Sequence, residues 1–373
     1  MSTNFQLTAI AVLLGVSGVS QAALTTTSGP VGFNGSASVT ATGPGVLSAT
    51  NSNNGATIAS VGLGQFNAAV GVLTDVNLQL NSNRTQTISG VGNKNNGPGR
   101  TASGSGASDA LLSAVGISAS FAPNLTQAGS GCSLAMGPTG AINCSWGPQT
   151  SAATATSTNV GADEQNLNDY AGNGSVNASL SLPTLSATTT LSSVMGQAGA
   201  GSSTTYSVDW SGTLQADYSY LLHALASFDG SAESHSLTLD FGNVAQNSSA
   251  LLDFGLFNLA AADRIGLDLD SVIGSGDTGV FDTGLSTFFD LSQGSSQAFV
   301  ANLLTADTGA FSAQYLLNLS DADFGASSTR HSYQLTLNLV GNVSAVPIPG
   351  AVWLFGSALF GFIGLGRAKR RFG

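Results

Sequence analysis

Apolar residues along much of this chain recur at every second position, and that period decides what the chain can build. Val76, Leu78 and Leu80 alternate with Asn77 and Gln79. Val176, Ala178, Leu180 and Leu182 follow the same rule, as do Val208 with Trp210, and Leu237 and Leu239 with Phe241. The pattern returns at Ala313, Tyr315, Leu317 and Leu319, and again at Leu335, Leu337 and Leu339. Successive side chains of a strand point to opposite faces, so short runs of this kind, punctuated by Gly, Asn, Ser and Asp, read as half-buried antiparallel strands. Only 109–115 and 259–265 read as helix. A sheet with one apolar face must bury it against a second layer. The expectation is therefore an all-β chain with two antiparallel β-sandwich domains; the two ends, read below, add an N-terminal signal peptide and a single C-terminal transmembrane helix.

Composition narrows the class. Hydrophobic residues make up 42% of the chain, too many for a disordered polymer, while charged residues make up only 8% and glycines number 48. Between residues 24 and 349 the only basic side chains are Arg84, Lys94, Arg100, Arg264 and Arg330, set against every acidic residue of a chain with net charge −11. Such a surface cannot grip a phosphate backbone, so nucleic acid is excluded as a partner. Segments 81–108 and 147–174 are nearly free of apolar bulk and read as long loops or insertions. The expected domains are 24–234 and 235–343, flanked by a signal peptide at 1–23 and a sorting segment at 344–373. Cys132 and Cys144 are the only cysteines. In an oxidising compartment a lone pair at this spacing reads as one disulfide, with Gly137 and Pro138 turning the chain between them. Closing so short a loop contributes about 3 kcal/mol in the chain-entropy model.

Both ends read as addresses. Residues 7–19 are apolar, and Val19, Ser20, Gln21, Ala22 and Ala23 offer small residues for cleavage after Ala22 or Ala23, although residues 1–6 contain no Lys or Arg. At the other end Val346, Pro347, Ile348, Pro349 and Gly350 precede an apolar run, 351–366, which is followed by Arg367, Lys369, Arg370 and Arg371. A membrane helix wants about 20 apolar residues, so this span is short, and Gly356, Gly361, Gly364 and Gly366 weaken it further. Trp353 would sit at one interface and the basic cluster would stay in the cytoplasm, which puts the rest of the chain outside it. The alternative is an ordinary single-pass anchor.

The order and identities of Val346, Pro347, Pro349, Ala351, Val352, Trp353, Leu354, Phe355, Gly356, Ser357, Leu359 and Gly361 resemble the PEP-CTERM sorting signal of Gram-negative bacteria, in the subset that reads V-P-x-P-x-A-V-W-L-F-G-S-x-L-x-G. Ile348 stands where the namesake motif has Glu, a variant found in that subset. The resemblance implies transient insertion into the inner membrane and an exosortase-type transpeptidase acting near Pro347 and Pro349. The phrase from Leu63 through Phe66, Asn67, Gly71, Leu73, Thr74 and Val76 to Leu78 looks like the opening of a choice-of-anchor E domain. The run Asp240, Phe241, Gly242, Asn243 and Val244, followed later by Leu291 to Phe299 and by Gly309 to Tyr315, resembles the immunoglobulin-like domain of abnormal-spindle, hydin-type and choice-of-anchor D proteins. That likeness implies a module that binds partners or spaces other domains.

The search for chemistry is mostly negative. G-x-S-x-G, H-E-x-x-H, Walker A and EF-hand patterns are absent. His223, His235 and His331 lie in separate stretches among apolar or hydroxyl neighbours. No catalytic or cofactor-binding residue is expected, and no enzymatic activity. Asp268, Asp270, Asp277, Asp321 and Asp323 are the candidate ligands for a Ca²⁺ ion, which takes six to eight oxygens. Alternation with Leu267 and Leu269 also allows Asp268 and Asp270 to be the solvent face of a strand. Trp146, Trp210, Tyr218 and Tyr220 are the candidates for stacking on sugar rings. The expected role is that of an exported cell-surface or matrix protein, structural or adhesive, with an exosortase-type enzyme and matrix polysaccharide or other surface proteins as partners. A lectin-like module is the alternative, and a hydrolase without a recognisable motif comes third.

Overall fold

The computed structural model describes residues 23–43, 47–94, 99–134, 142–192, 202–345 and 354–360. The described residues are almost entirely β, arranged in four sheets of six, seven, four and five strands. The expected signal peptide, apart from Ala23, lies outside them. So do Val346, Pro347, Pro349, Trp353, Arg367, Lys369, Arg370 and Arg371. Residues 354–360 are α-helical. No helix among the described residues is long and apolar enough to cross a membrane.

The first two sheets enclose one hydrophobic core. At the centre of the six-stranded sheet Val72–Lys94 pairs antiparallel with Ser202–Leu221 along nearly its whole length. Leu24–Thr27 and Val31–Gly43 extend one side, and Ile142–Thr150 and Thr154–Gly161 the other. The seven-stranded sheet is centred on Arg100–Ala114, with Ile117–Ala128 and Cys132–Leu134 on one side and Ser175–Leu182 and Leu185–Leu191 on the other. Ala56–Gly64 and Ser48–Ser52 complete it. Cys132 and Cys144 form a disulfide, with Cα atoms 5.9 Å apart. They belong to different sheets, so the bond clips one end of the sandwich shut over Ala102, Leu134 and Leu191.

Two sequence expectations fail in this unit, and along Arg100–Ala114 the reason is visible. Segments 81–108 and 147–174, expected as loops, contain long strands, and 109–115 is strand and turn rather than helix. The inward positions of Arg100–Ala114 are Ala102, Gly104, Gly106, Ser108, Ala110 and Leu112, small enough to hide the period. The facing sheet fills the space they leave. A Cβ on Gly106 would stand 2.2 Å from the Tyr206 ring, and one on Gly104 would stand 2.1 Å from Thr204 Oγ1. Trp146 covers Gly90, its register partner in the same sheet, and also lies against Gly129. Bulk here is contributed by one side of the interface, so a window read along the other side finds none.

The third and fourth sheets enclose a second core. The four-stranded sheet orders Ala226–Ser227, Leu251–Asn258, Ser296–Leu303 and Phe281–Asp282. The five-stranded sheet orders Ser236–Ala245, Ser332–Ser344, Gly309–Asp321, Leu267–Gly276 and Phe288–Leu291. Its first pair runs parallel, a departure from the all-antiparallel expectation. Residues 259–265 form a turn and an isolated bridge to Leu222 instead of a helix. This core also begins before residue 235, because Leu221, Ala224, Ala226 and Phe228 pack into it. Asn258, fully buried, fixes that approach: its Oδ1 accepts from the Leu225 amide, and its Nδ2 donates to the carbonyls of Ile265 and Leu291.

Two measurements check this packing. Gly106→Ala should destabilise the protein by about 1–3 kcal/mol, because the new methyl group overlaps the Tyr206 ring. Gly32→Ala, where the added carbon meets nothing closer than 4.0 Å, should stay within about 0.5 kcal/mol. Urea unfolding followed by tryptophan fluorescence distinguishes the two. A fragment 221–345 should unfold cooperatively. A fragment 235–345 should do so at clearly lower urea, because Leu221 and Phe228 are each worth about 1.5–3 kcal/mol when buried.

Candidate functional site

The two cores meet around one carboxylate. Asp321 ends the strand Gly309–Asp321, and its side chain is fully buried. Its Oδ1 accepts from the Ala224 amide at 2.8 Å and from the Tyr333 hydroxyl at 2.9 Å. Its Oδ2 accepts from the His331 amide at 2.7 Å and lies 2.8 Å from His223 Nδ1. Burial alone would raise this carboxyl, but the hydrogen bonds from His223, His331, Ala224 and Tyr333 outweigh it and hold it below the usual carboxylate range. Burial, then the neighbouring Asp321 charge, pushes the Tyr333 phenol upward.

His223 carries the contact across to the first sandwich. Its Nε2 lies 2.8 Å from the carbonyl oxygen of Ala68, in the short 3₁₀ turn Ala68–Val70. Its ring stacks on that of His331, with centroids 3.6 Å apart and planes 11° from parallel. Arg264 Nη1 donates to the His223 carbonyl at 2.6 Å. A Ser–His–Asp relay needs a hydroxyl at the imidazole nitrogen opposite the aspartate. Here that nitrogen faces a backbone carbonyl, and the pair serves to join two sandwiches. Burial, then the His223 ring, depresses the pKa of His331 below its ordinary value, with Asp321 opposing.

The loop that follows Asp321 walls a cleft of about 360 Å³ between the sandwiches. Arg330 organises the loop. It forms an ion pair with Asp323, Nε donates to the Phe324 carbonyl at 3.2 Å, and Nη2 donates to the Gly325 carbonyl at 3.2 Å. Gly325 has φ +66° and lies so close to the first sandwich that a Cβ would stand 2.4 Å from the Leu73 oxygen. The Ala326 amide donates to that same oxygen at 2.8 Å, and the Leu73 amide donates to Thr329 Oγ1 at 3.1 Å. Phe324 is thereby held on a pinned backbone with 56% of its surface exposed. The opposite wall is the 3₁₀ helix Glu164–Tyr170. Leu167 and Tyr170, one turn apart, are buried on the core side, as three residues per turn dictates. Glu164 and Gln165 remain exposed at the cleft.

The sequence-predicted residues divide. Asp323 lines the cleft and Asp321 lies beneath it. Asp268 is buried, with its Oδ1 accepting from the Asp290 amide. Burial raises its carboxyl; the Asp290 amide opposes this, and the charges of Asp270, Asp323 and Asp290 add to the rise. Asp270 accepts from the Ser320 hydroxyl, and Asp277 from the Ser312 amide. Among the described residues no group of three or more His, Cys, Asp or Glu is placed to hold a metal ion. The aromatic candidates are core residues. Trp146, Trp210 and Tyr218 are buried, Trp210 lies edge-on to Phe33 and Phe121 under the Arg84 guanidinium, and Tyr220 packs against the same cluster. Sequence reasoning missed Phe324, Glu164, Gln165 and Arg330. The available signal was a lone Phe between Asp323 and Gly325, outside every alternating run.

Removing the central carboxylate should be costly. Asp321→Ala should destabilise the protein by about 3–5 kcal/mol, as expected when one partner of a buried charged network is deleted; chemical denaturation measures it. The pH dependence has two parts. His331 has a folded-state pKa below its ordinary value, so its contribution is intact above about pH 6.5 and is lost as pH falls through and below it. Asp321, depressed below about 3.8, contributes above that value and loses its contribution as pH falls further. Thermal unfolding between pH 8 and pH 3 should show both declines, and His331→Gln should remove only the first.

No protein-family model and no curated protein matches the chain. Similar solved structures include the VesB protease of Vibrio cholerae, 14% identical over 35% of this chain and 37% of that one, with a TM-score of 0.22. They also include the ASH/PapD-like domain 7 of human CEP192, 10% identical over 33% of this chain and 87% of that domain, with a TM-score of 0.22. A nucleoside hydrolase-related protein of Saccharophagus degradans associated with carbohydrate metabolism is 17% identical over 34% of this chain and 26% of that one, with a TM-score of 0.18. The chain spans little more than a third of VesB, and at these scores the likenesses carry no functional argument.

Proposed function

We propose that this is an exported envelope or matrix protein with a structural or adhesive role, delivered by its C-terminal tail and held in contact with exopolysaccharide. The observation that carries the reading is the tail itself. Val346, Pro347 and Pro349 precede a short apolar span that begins with Ala351, Val352 and Trp353 and ends before Arg367, Lys369, Arg370 and Arg371. In this reading the precursor pauses in the inner membrane, an exosortase-type enzyme acts near the prolines, and the two β-sandwiches are released to the outer envelope, cell surface or matrix. The Cys132–Cys144 disulfide supports an oxidising destination. The scarcity of Lys and Arg supports a partner other than nucleic acid. No catalytic role and no cofactor are assigned.

A lectin-like role is the second reading, favoured by the exposed Phe324 ring in a cleft with polar walls. Mass spectrometry of envelope and released protein tests the first. The mature C-terminus should fall within 346–350. Full-length protein still carrying Arg370 and Arg371 at steady state would identify a plain membrane anchor instead.

A further inference from the structure

The cleft combines features that narrow its ligand. Phe324 offers a flat apolar plate, held in place because its own carbonyl and that of Gly325 are tied to Arg330. Beside it the Asp323 and Arg330 side chains set a carboxylate next to a guanidinium, with the carboxylate side chain 87% exposed. Glu164 and Gln165 face them, and Thr74 and Leu167 also contribute to the lining. The volume, about 360 Å³, lies at the small end of ligand pockets, which span about 300–1,000 Å³.

A wholly apolar ligand would find only Phe324 and Leu167 to cover it. A polyanion would meet Glu164 and the field of a chain with net charge −11. A cationic side chain would have to compete with Arg330 for Asp323. An uncharged sugar ring meets none of these obstacles. Its axial C–H face is apolar and lies flat on an aromatic ring, and its vicinal hydroxyls both donate and accept. A carboxylate, a guanidinium and a primary amide together answer both needs.

We propose that the cleft between the two sandwiches is a binding site for a neutral saccharide, with the sugar's apolar face on Phe324 and its hydroxyl edge between Asp323–Arg330 and Glu164–Gln165. This rests on the lectin-like reading above and deepens it by locating the contact.

The test uses the purified full-length chain on an array of neutral oligosaccharides, uronic-acid oligosaccharides and a tri-lysine peptide, followed by titration of whatever is retained. Neutral oligosaccharides should bind. Phe324→Ala should weaken that binding by about tenfold, with the thermal midpoint unchanged because the ring is largely outside the core. The double variant Glu164→Gln, Gln165→Ala, on the opposite wall, should weaken it as well. Phe289→Ala removes a still more exposed ring, 75% accessible and outside the cleft, and should leave binding as it was. Retention of only uronic acids or tri-lysine, no retention at all, or equal binding by Phe324→Ala and the parent chain would overturn the proposal. Co-fractionation with the cell's own polysaccharide separates the two levels. If the chain co-fractionates but no neutral sugar binds in the cleft, the site is wrong and the lectin-like reading stands; if it does neither, both fall.

Discussion

The buried carboxylate of Asp321 is the point on which the arrangement of this molecule turns. A desolvated charge is tolerated inside a protein only when donors surround it. Here the donors come from two parts of the chain. Ala224 and His223 belong to the segment leaving the first sandwich, while His331 and Tyr333 belong to the last strand and its approach. Asp321 itself closes the strand before the loop. A single side chain thus fixes where the linker ends, where the loop begins and how His223 reaches back to Ala68. The loop it starts then runs along Leu73 with almost no clearance, which is why Gly325 sits there with a positive φ. The cleft is a consequence of this anchoring: its two walls belong to different sandwiches, and its shape is set by hydrogen bonds that lie beneath it.

How much of this was legible depended on where the bulk resides. Strands whose own residues alternate in size, such as Ser175–Leu182 and Ser332–Ser344, declare themselves in sequence. Val72–Lys94 does so only in its first third. Beyond Leu80 its inward positions are Ser82, Arg84, Gln86 and Ile88, and the period is carried by burial instead of hydropathy. Arg84 illustrates the limit. Read alone it is a surface cation, yet it is fully buried over the Trp210 ring, its register partner on the neighbouring strand. Parallel pairing of Ser236–Ala245 with Ser332–Ser344 was likewise invisible, because alternation reports faces and not direction.

The site was legible in fragments. Asp321 and Asp323 stood out as neighbouring carboxylates and as candidate ligands for a cation. The fold sends them apart, one inward to amides and rings, the other outward to Arg330. Nothing in the spacing of Asp321 and Asp323 says which donors each will meet, since those donors lie between 7 and 98 residues away. The aromatic residues failed as site markers for a related reason. Trp146 is packed over Gly90 and Gly129, Trp210 lies edge-on to Phe33 and Phe121, and Tyr218 packs against Phe66, so all three are taken up by the core.

That division of labour has a functional consequence. The first sandwich spends its large aromatic residues on its interior and turns Ser, Thr and Asn outward, as in the cross-strand contacts of Thr40 with Thr205, Thr50 with Thr188 and Thr87 with Thr150. Such a surface presents small hydroxyl and amide groups with little apolar area between them. A contact with more than passing strength then requires a place where an apolar plate and fixed polar groups converge. Phe324 and the Asp323–Arg330 pair meet that requirement at the junction. They are held there by the loop that begins at Asp321, so a change in that buried carboxylate is felt at the surface. If the cleft binds as proposed, stability and recognition are coupled through one loop, and a variant that loosens the junction should loosen the cleft with it.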